Sequence, residues 1–397
     1  MENNEESNQY NSDSSINDQG LNNIYDQEIN QDDDFVIRLP QITDRFVTIK
    51  EIGKGRYGTV QKCKDKVTGE IVAVKKIIKH ENKSINFQQT TIREVKLLRE
   101  LKHPNIIDLK FVVETEDSEK TFYLVEEYCE YDLCALLHKK SLDINHLKSI
   151  MKQFLIVLQY CAGQNVIHRD LKPANMFITK NGFLKLGDFG FARKIKNKGR
   201  YTNTIITQWY RPPEIIILNS QPDFDYKYKT EVDIWSAGCI LYEMVTGKPL
   251  FKAKLDSDIS QLDAIYSICG PLPGILFEKY KNIAKGDLFE MCKKENRYNL
   301  KDYLESKFKD TEFISLIPLL LQMLNLNPEK RISAEDALND PFFREIGSSY
   351  EPLSLPEIDE EEIHQKEASE SKKKKSASID RIDEVRPPKK LPSPPKI

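Results

Sequence analysis

The rhythm of apolar and polar residues changes along the chain. From residue 46 to 79 it reads as short strands separated by glycine turns: RFVTIKEIG, YGTVQKCKDK and, after the Val67-Thr68-Gly69 turn, EIVAVKKI. Ile92, Val95, Leu98 and Leu101 then recur at helical spacing within TTIREVKLLREL, which predicts a helix with one buried stripe. Two more strands, at about 106–113 and 121–127, would complete a small antiparallel sheet. After Glu130 the pattern turns mostly helical, interrupted by a loop-rich stretch from Val166 to Pro213. The fold class expected is α+β. A small antiparallel β lobe with one main helix covers about 46–129, and a larger α-helical lobe covers about 130–345. The cleft between two such lobes is where ligands usually sit.

Two polar ends flank that pattern. Residues 1–40 are rich in Asn, Asp, Gln and Ser and poor in large apolar side chains. Such a segment buries too little surface to offset its ordering entropy, so it is expected to be disordered. Residues 346–397 combine an acidic stretch, a SKKKKSAS cluster and RPPKKLPSPPKI. They predict a second disordered tail, extended at its proline-rich end. The folded domain is thereby placed at 41–345.

Composition narrows the class. Of 397 residues, 39% are hydrophobic and 30% charged, which suits a soluble protein with a sizeable core. No apolar run approaches the roughly 18 residues needed to span a bilayer. The acidic start, MENNEESNQY, does not resemble the apolar part of a secretory leader. No membrane partner is expected. The seven cysteines are scattered and odd in number, which argues for reduced thiols in the nucleus or cytoplasm. Net charge is −3, but residues 1–40 carry ten acids and one base, leaving +6 for the remainder. So small an excess, spread over so many residues, makes no case for direct nucleic-acid binding.

The chemistry lies in four places. Gly53-Lys54-Gly55-Arg56-Tyr57-Gly58-Thr59-Val60 lies between two strand-like segments, where glycines let a turn close over phosphates with its N–H groups free. The strand context speaks against a dinucleotide fold, which needs a helix after the turn. Ala73-Val74-Lys75 follows on a strand, and Glu94 lies on the next helix. Together they suit an ammonium that grips phosphates and is held by a carboxylate. The most specific stretch is His168-Arg169-Asp170-Leu171-Lys172-Pro173-Ala174-Asn175. Asp170 can orient a hydroxyl and accept its proton, Lys172 can neutralise a transferred phosphoryl group, and Asn175 can bind a metal ion. Asp188-Phe189-Gly190 follows a strand-like pattern (GFLKLG), and Asp188 would hold Mg²⁺ against phosphates.

In that order these motifs resemble a eukaryotic protein kinase over roughly residues 46–344, with PPE where that family commonly shows APE, and with DIWSAGC further on. Lys172 follows the serine/threonine pattern. The resemblance implies the two-lobed kinase fold, ATP and Mg²⁺ as cofactors, and catalytic roles for Lys75, Glu94, Asp170 and Lys172. The nucleotide would be lined by Ile52, Gly53, Gly55, Gly58, Val60, Ala73 and Lys75. Backbone groups of Glu127 and Cys129 would meet the adenine, Asp132 would reach the ribose, and Asn175 and Asp188 would hold the metal. Glu214 would pair with Arg331, and Asp233 would support the catalytic-loop backbone, both in structural roles.

Several segments resemble the cyclin-dependent kinases in particular. Thr90-Thr91-Ile92-Arg93-Glu94 is similar to the helix that a cyclin pushes into place, and Thr207-Gln208-Trp209-Tyr210-Arg211-Pro212-Pro213-Glu214 to the end of the activation segment. The resemblance puts Thr202 at the activating phosphothreonine, with Arg93, Arg169 and Arg193 to clasp its phosphate, and Tyr57 at the inhibitory tyrosine. Thr207 and Arg211 fall at substrate positions, and Arg211 implies preference for Ser/Thr followed by proline. YLVEEYCEYDLCALL and the GFAR after Asp188 look most like the transcription-associated members, which act on the tail of RNA polymerase II. A cyclin is the implied partner, protein Ser/Thr-Pro sites the implied substrates, and the nucleus the favoured location. The KKKK run reads equally as a nuclear import signal or as a solvated basic cluster. Ser393-Pro394 is a candidate phosphorylation site.

Three departures stand out. Glu126 occupies a position usually apolar or glutamine, where a buried carboxylate is costly unless paired or protonated. It is expected to share Lys75 with Glu94, or else the register differs. The proline of many relatives is missing before Thr90, and NSQPDFDYKYKT suggests a looped insertion. Two other readings remain at this point. A pseudokinase scaffold would have lost Lys75, Asp170 or Asp188, all of which are present. A mitogen-activated-type kinase would carry T-x-Y where Tyr201-Thr202-Asn203-Thr204 stands.

Overall fold

The alternation between residues 46 and 77 folds as it reads. A computed structural model describes residues 35–55, 58–77, 86–116, 121–139, 142–195, 207–219, 228–280 and 299–344. Six strands form one sheet: β1 (Val36–Leu39), β2 (Phe46–Gly55), β3 (Gly58–Asp65), β4 (Ile71–Ile77), β5 (Leu109–Thr115) and β6 (Phe122–Glu127), in the order β1-β5-β6-β4-β3-β2. Helix α1 (Asn86–Glu100) begins four residues before the stretch read as helical. It buries Val95, Leu97 and Leu98, with Leu101 just beyond its end.

One expectation is corrected here. Residues 36–39, assigned to a disordered tail ending at 40, form a strand that pairs parallel with β5, Val36 opposite Val112. The sheet is therefore not wholly antiparallel, and the ordered chain begins before residue 41. The physical reason is local. FVIRL is a short apolar run at the end of a long polar segment, and the open edge of β5 offers it unpaired N–H and C=O groups. The Val112 amide donates to the Phe35 carbonyl and the Glu116 amide to the Leu39 carbonyl, each at 2.9 Å. Leu39 and Ile42 then pack on the cluster of Phe46, Cys63, Val72, Val74, Val113, Tyr123 and Val125. Next along the chain, Arg45 forks onto Asp65 (Nη2–Oδ2 2.8 Å) with its guanidinium 4.5 Å from the Phe111 ring.

The helical part is α2 (Leu133–Lys139), α3 (Ile144–Gly163), α4 (Pro213–Asn219), α5 (Glu231–Thr246), α6 (Asp258–Cys269), α7 (Gly274–Tyr280), α8 (Leu300–Phe308), α9 (Ile317–Met323) and α10 (Ala334–Leu338). Its centre is α5, apolar nearly all round and buried from Val232 to Tyr242, as a helix inside a core must be. Asp143 caps α3, accepting from the His146 amide at 2.8 Å. Short strands lie just before α2 and between α3 and α4. β7 (Tyr131–Asp132), β9 (Met176–Ile178) and β10 (Leu184–Leu186) form one antiparallel sheet, and β8 (Val166–Ile167) pairs with β11 (Arg193–Lys194). Backbone bonds tie these strands to the approach to β5: Ile107 N–H to Leu186 O (2.9 Å) and Leu186 N–H to Asn105 O (2.8 Å). The Asn105 amide completes the join, donating to Gln153 Oε1 and to Leu184 O.

Arg331 meets Glu214 as expected, at 2.8 Å with both side chains almost fully enclosed. Arg331 also donates to the carbonyls of Glu231 and Asn325, so one guanidinium joins α4, α5 and the turn after α9. Among the described residues no helix is long and apolar enough to cross a membrane. The tails 1–34 and 345–397, with KKKK and Ser393-Pro394, and most of the suggested insertion lie outside the described residues.

Candidate active site

Strand alternation sets the roof of the site. Val60 lies opposite Lys75, Lys75 opposite Leu124, and Ala73 opposite Glu126, so these side chains share one face of the sheet. Gly53 pairs with Val60 and Gly55 with Gly58 at the end of the β2–β3 hairpin, while Ile52 is half-buried on β2. Gly58 has φ +151°, and a Cβ there would lie 1.8 Å from the Lys76 carbonyl oxygen, so only glycine fits. Tyr57, at the tip of the hairpin, lies outside the described residues.

Lys75 Nζ donates to Glu94 Oε1 at 2.7 Å, joining β4 to α1. Burial, the largest single influence, pushes the Lys75 ammonium down, but Glu94, Asp188 and Glu126 together hold it above its ordinary value. Burial lifts the Glu94 carboxyl against the pull of Lys75. Glu126 is half-buried in β6 in the register expected from the sequence. Burial pushes its carboxyl up to about 7; Lys75 opposes this, and Glu94, Asp188 and Glu127 add to it.

The floor is the segment after β8, held from below by α5. Asp233 accepts the amides of His168 (2.7 Å) and Arg169 (3.0 Å). That carboxylate fixes a loop in which Arg169 has φ +67°, strain of the kind that persists only where surroundings impose it. Asp170 is buried, and three groups meet its carboxylate. Lys172 Nζ donates to Oδ2 at 2.6 Å, Asn175 Nδ2 to Oδ2 at 3.1 Å, and Thr207 Oγ1 to Oδ1 at 2.7 Å. Lys172 also lies 3.5 Å from Thr207 Oγ1.

Asn175 connects this cluster to the next, its carbonyl accepting the Gly187 amide at 3.0 Å. Asp188 follows in the left-handed region (φ 58°, ψ 63°), and His168 Nε2 lies 3.0 Å from Gly187 O. A Cβ placed on Gly190 would lie 3.5 Å from Asp188 Oδ1 and 3.7 Å from Glu94 Oε2, so the two carboxylates face one small space. The donor set suits a hard divalent cation. Asp188 offers carboxylate oxygen, and Asn175, with Nδ2 spent on Asp170, offers its amide oxygen.

At the strand that ends the roof, Glu127 uses its amide on Asp108 O and its carboxylate on Asp108 N–H and Lys185 Nζ. Cys129 is half-buried, its thiol raised by burial and then by Glu127. Asp132 Oδ1 caps α2 through the Ala135 amide at 2.7 Å. Arg93, Arg169 and Arg193 come together from α1, the loop after β8 and β11. Burial first, then Arg193 and Arg169, push the Arg93 guanidinium down to about 10. Arg93 donates to Gly190 O, and Arg169 to Phe191 O and Tyr228 Oη. Thr202 lies outside the described residues. Arg211 pairs with Asp258 at 2.5 Å.

Sequence reasoning missed Tyr228, Lys185, Asp108 and Asp258. None is part of a motif's chemistry, not even Lys185 on the strand before Asp188, and the partner of each is set by the fold.

A family profile described as protein kinase domain matches residues 46–343. Cyclin-dependent kinase 12 of Drosophila melanogaster is 39% identical over 327 residues, 78% of this chain and 26% of that protein. Cyclin-dependent kinase 12 of Caenorhabditis elegans is 36% identical over 348 residues, covering 85% and 45%. Cyclin-dependent kinase 9 of Bos taurus is 36% identical over 313 residues, covering 75% and 80%. The chain thus spans about a quarter to under a half of the first two relatives and four fifths of the third. On the profile match and that last coverage, the chain belongs to the protein kinase family, within its cyclin-dependent kinase branch.

Proposed function

We propose that this chain is a serine/threonine protein kinase that moves the γ-phosphate of ATP to Ser/Thr-Pro sites, depends on a cyclin, and acts in transcription. The observation that carries the reading is the continuity of the site. Lys75–Glu94, Asp188, Asn175 and Asp170–Lys172–Thr207 form one connected set of charged and polar groups. Protein kinase domains use ATP and a divalent metal; we take the metal to be Mg²⁺.

Each residue then has a task. Asp170 accepts the proton of the attacking hydroxyl, and the Thr207 hydroxyl on Oδ1 marks where a hydroxyl can approach it. Lys172 stands beside the same carboxylate, where it neutralises charge on the phosphoryl group in flight. Lys75, kept charged by its carboxylates, holds the α- and β-phosphates, and Glu94 fixes its position from α1. Asp188 and Asn175 would hold the metal, which supplies charge neutralisation between the phosphates. Little covalent help is needed, so positioning is the larger contribution. Gly53, Gly55 and Gly58 cover the phosphates, Ile52, Val60 and Ala73 the base. The carbonyl of Glu127 and the backbone of Cys129 meet the adenine edge, and Asp132 the ribose.

Arg93, Arg169 and Arg193 would bind a phosphate on Thr202 and so tie α1 to the catalytic loop. Tyr57 would be the site of inhibition. The folded domain runs from 35 to about 345, with tails on either side. The relatives' names support a cyclin partner, and transcription-associated relatives support the nucleus. The test is transfer of labelled phosphate from ATP to a Ser-Pro peptide by the full chain, purified with the subunits it retains. Divalent-dependent transfer is expected, falling on the order of 10²–10⁴-fold in Asp170→Asn. Equal transfer by wild type and Asp170→Asn would overturn the reading.

A further inference from the structure

The segment that carries Thr207 is bound to the loop before α6 and to the start of that helix. Gln208 Nε2 donates to the carbonyls of Leu255 (3.3 Å) and Ser257 (2.7 Å). Tyr210 is pinned on the other side, its hydroxyl on Glu243 at 2.7 Å and its carbonyl accepting from Ser236 Oγ at 2.8 Å. Arg211 ends the segment with Nη1 on Asp258 Oδ1 at 2.5 Å, and the Arg211 side chain is only 11% exposed. Asp258 is independently fixed. It is the first residue of α6, directly after the cap Ser257, whose hydroxyl accepts the Ser260 amide. An acid there is favoured by the helix dipole, which complements the charge that faces Arg211.

We propose that Asp258 is a positioning residue for substrate selection, holding the Arg211 guanidinium against the residue that follows the phosphoacceptor. This rests on the reading above, in which Arg211 lines that position. A guanidinium carries donors only. Set beside a peptide amide it leaves that N–H without an acceptor, at a cost of about 1–3 kcal/mol, or roughly 5- to 150-fold in rate. Proline alone has no N–H to strand, so discrimination comes from rejecting every other residue. The penalty needs the guanidinium to be held there. A free arginine side chain spreads over many rotamers and turns away from the mismatch, and the carboxylate of Asp258 prevents this by fixing one orientation.

The experiment compares kcat/KM on two peptides that differ only in Ser-Pro against Ser-Ala. It uses the full chain with its retained subunits, as wild type, Asp258→Asn, Asp258→Ala and Asp258→Glu. Wild type is expected to favour Ser-Pro by about ten-fold or more. In Asp258→Asn and Asp258→Ala that ratio should fall several-fold, with the Ser-Ala rate held or raised and the Ser-Pro rate changed less. Asp258→Glu should keep most of the ratio. A purely structural role for Asp258 would lower both rates in parallel and leave the ratio where it was. That result, in the near-isosteric Asn variant, overturns the proposal. A wild-type ratio near one instead removes the proline reading of Arg211 itself.

Discussion

Glu126 shares a sheet face with Lys75, and three carboxylates there act on one ammonium. The sequence shows the oddity of a glutamate at that position and suggests Lys75 as its partner. What it cannot show is the division of labour, because that depends on distances across three elements. The short hydrogen bond goes to Glu94, and Glu126 acts on Lys75 through space. The consequence for stability has a definite sign. An ordinary glutamate loses its proton near 4.5, whereas Glu126 in the folded protein keeps it to about 7. Between those values the folded state holds a proton that the unfolded chain has released. The contribution of this group is therefore complete below the lower value and is lost as pH rises through the upper one. Denaturant unfolding from pH 5 to 8 should show wild type losing stability relative to Glu126→Gln up to about pH 7, then running parallel to it. A relative gain for wild type over that interval would mean that Lys75 favours the ionised form enough to outweigh burial.

At the scale of elements, strands and helices of the first lobe were readable where the pattern was long. Phe46–Asp65 alternates over two strands and α1 repeats its apolar stripe for three turns, so neither could be mistaken for the other. β1 is four residues long and follows a 35-residue segment dominated by polar side chains, and composition averaged over such a window hides it. Its worth lies in what it covers. It closes the β5 edge, brings Leu39 onto the core, and places the Phe35 ring 4.4 Å from the Arg99 guanidinium at the end of α1. A chain starting at Phe35 should melt at the temperature of the full chain. One starting at Gln41 should melt a few degrees lower, since losing about 2 kcal/mol of packing and pairing shifts a domain of this size by that much. Identical melting curves for the two truncations would show that the edge strand contributes nothing.

For the molecule as a whole, the groups proposed for catalysis could be picked out because they lie in short contiguous motifs, His168 to Asn175 and Asp188 to Gly190. Of their supports, Asp233 was legible through the resemblance, and it holds the loop after β8 from more than sixty residues away. Tyr228 and Asp258, 59 and 47 residues from the arginines they touch, were not. The three arginines sit between these cases. Their positions could be matched one by one, but their convergence exists only in the fold, where Arg93 feels both of the others. That convergence makes a prediction about activation. With Thr202 phosphorylated, Arg93→Ala should lower kcat/KM by roughly 10- to 150-fold, the size of one charge-assisted bond of about 1.5–3 kcal/mol lost at the phosphate. With Thr202 unphosphorylated the same substitution should change little. Steady-state rates on the two phosphorylation states decide it, and an equal drop in both would mean that Arg93 serves the fold and not the phosphate.

The two amides of the catalytic loop hang from a carboxylate on α5, the helix about which the larger lobe is built. A loop suspended from the innermost helix has no route to melt alone. On heating, phosphate transfer should fade together with the fluorescence of Trp235, which lies two residues from Asp233 in the same helix, and not ahead of it.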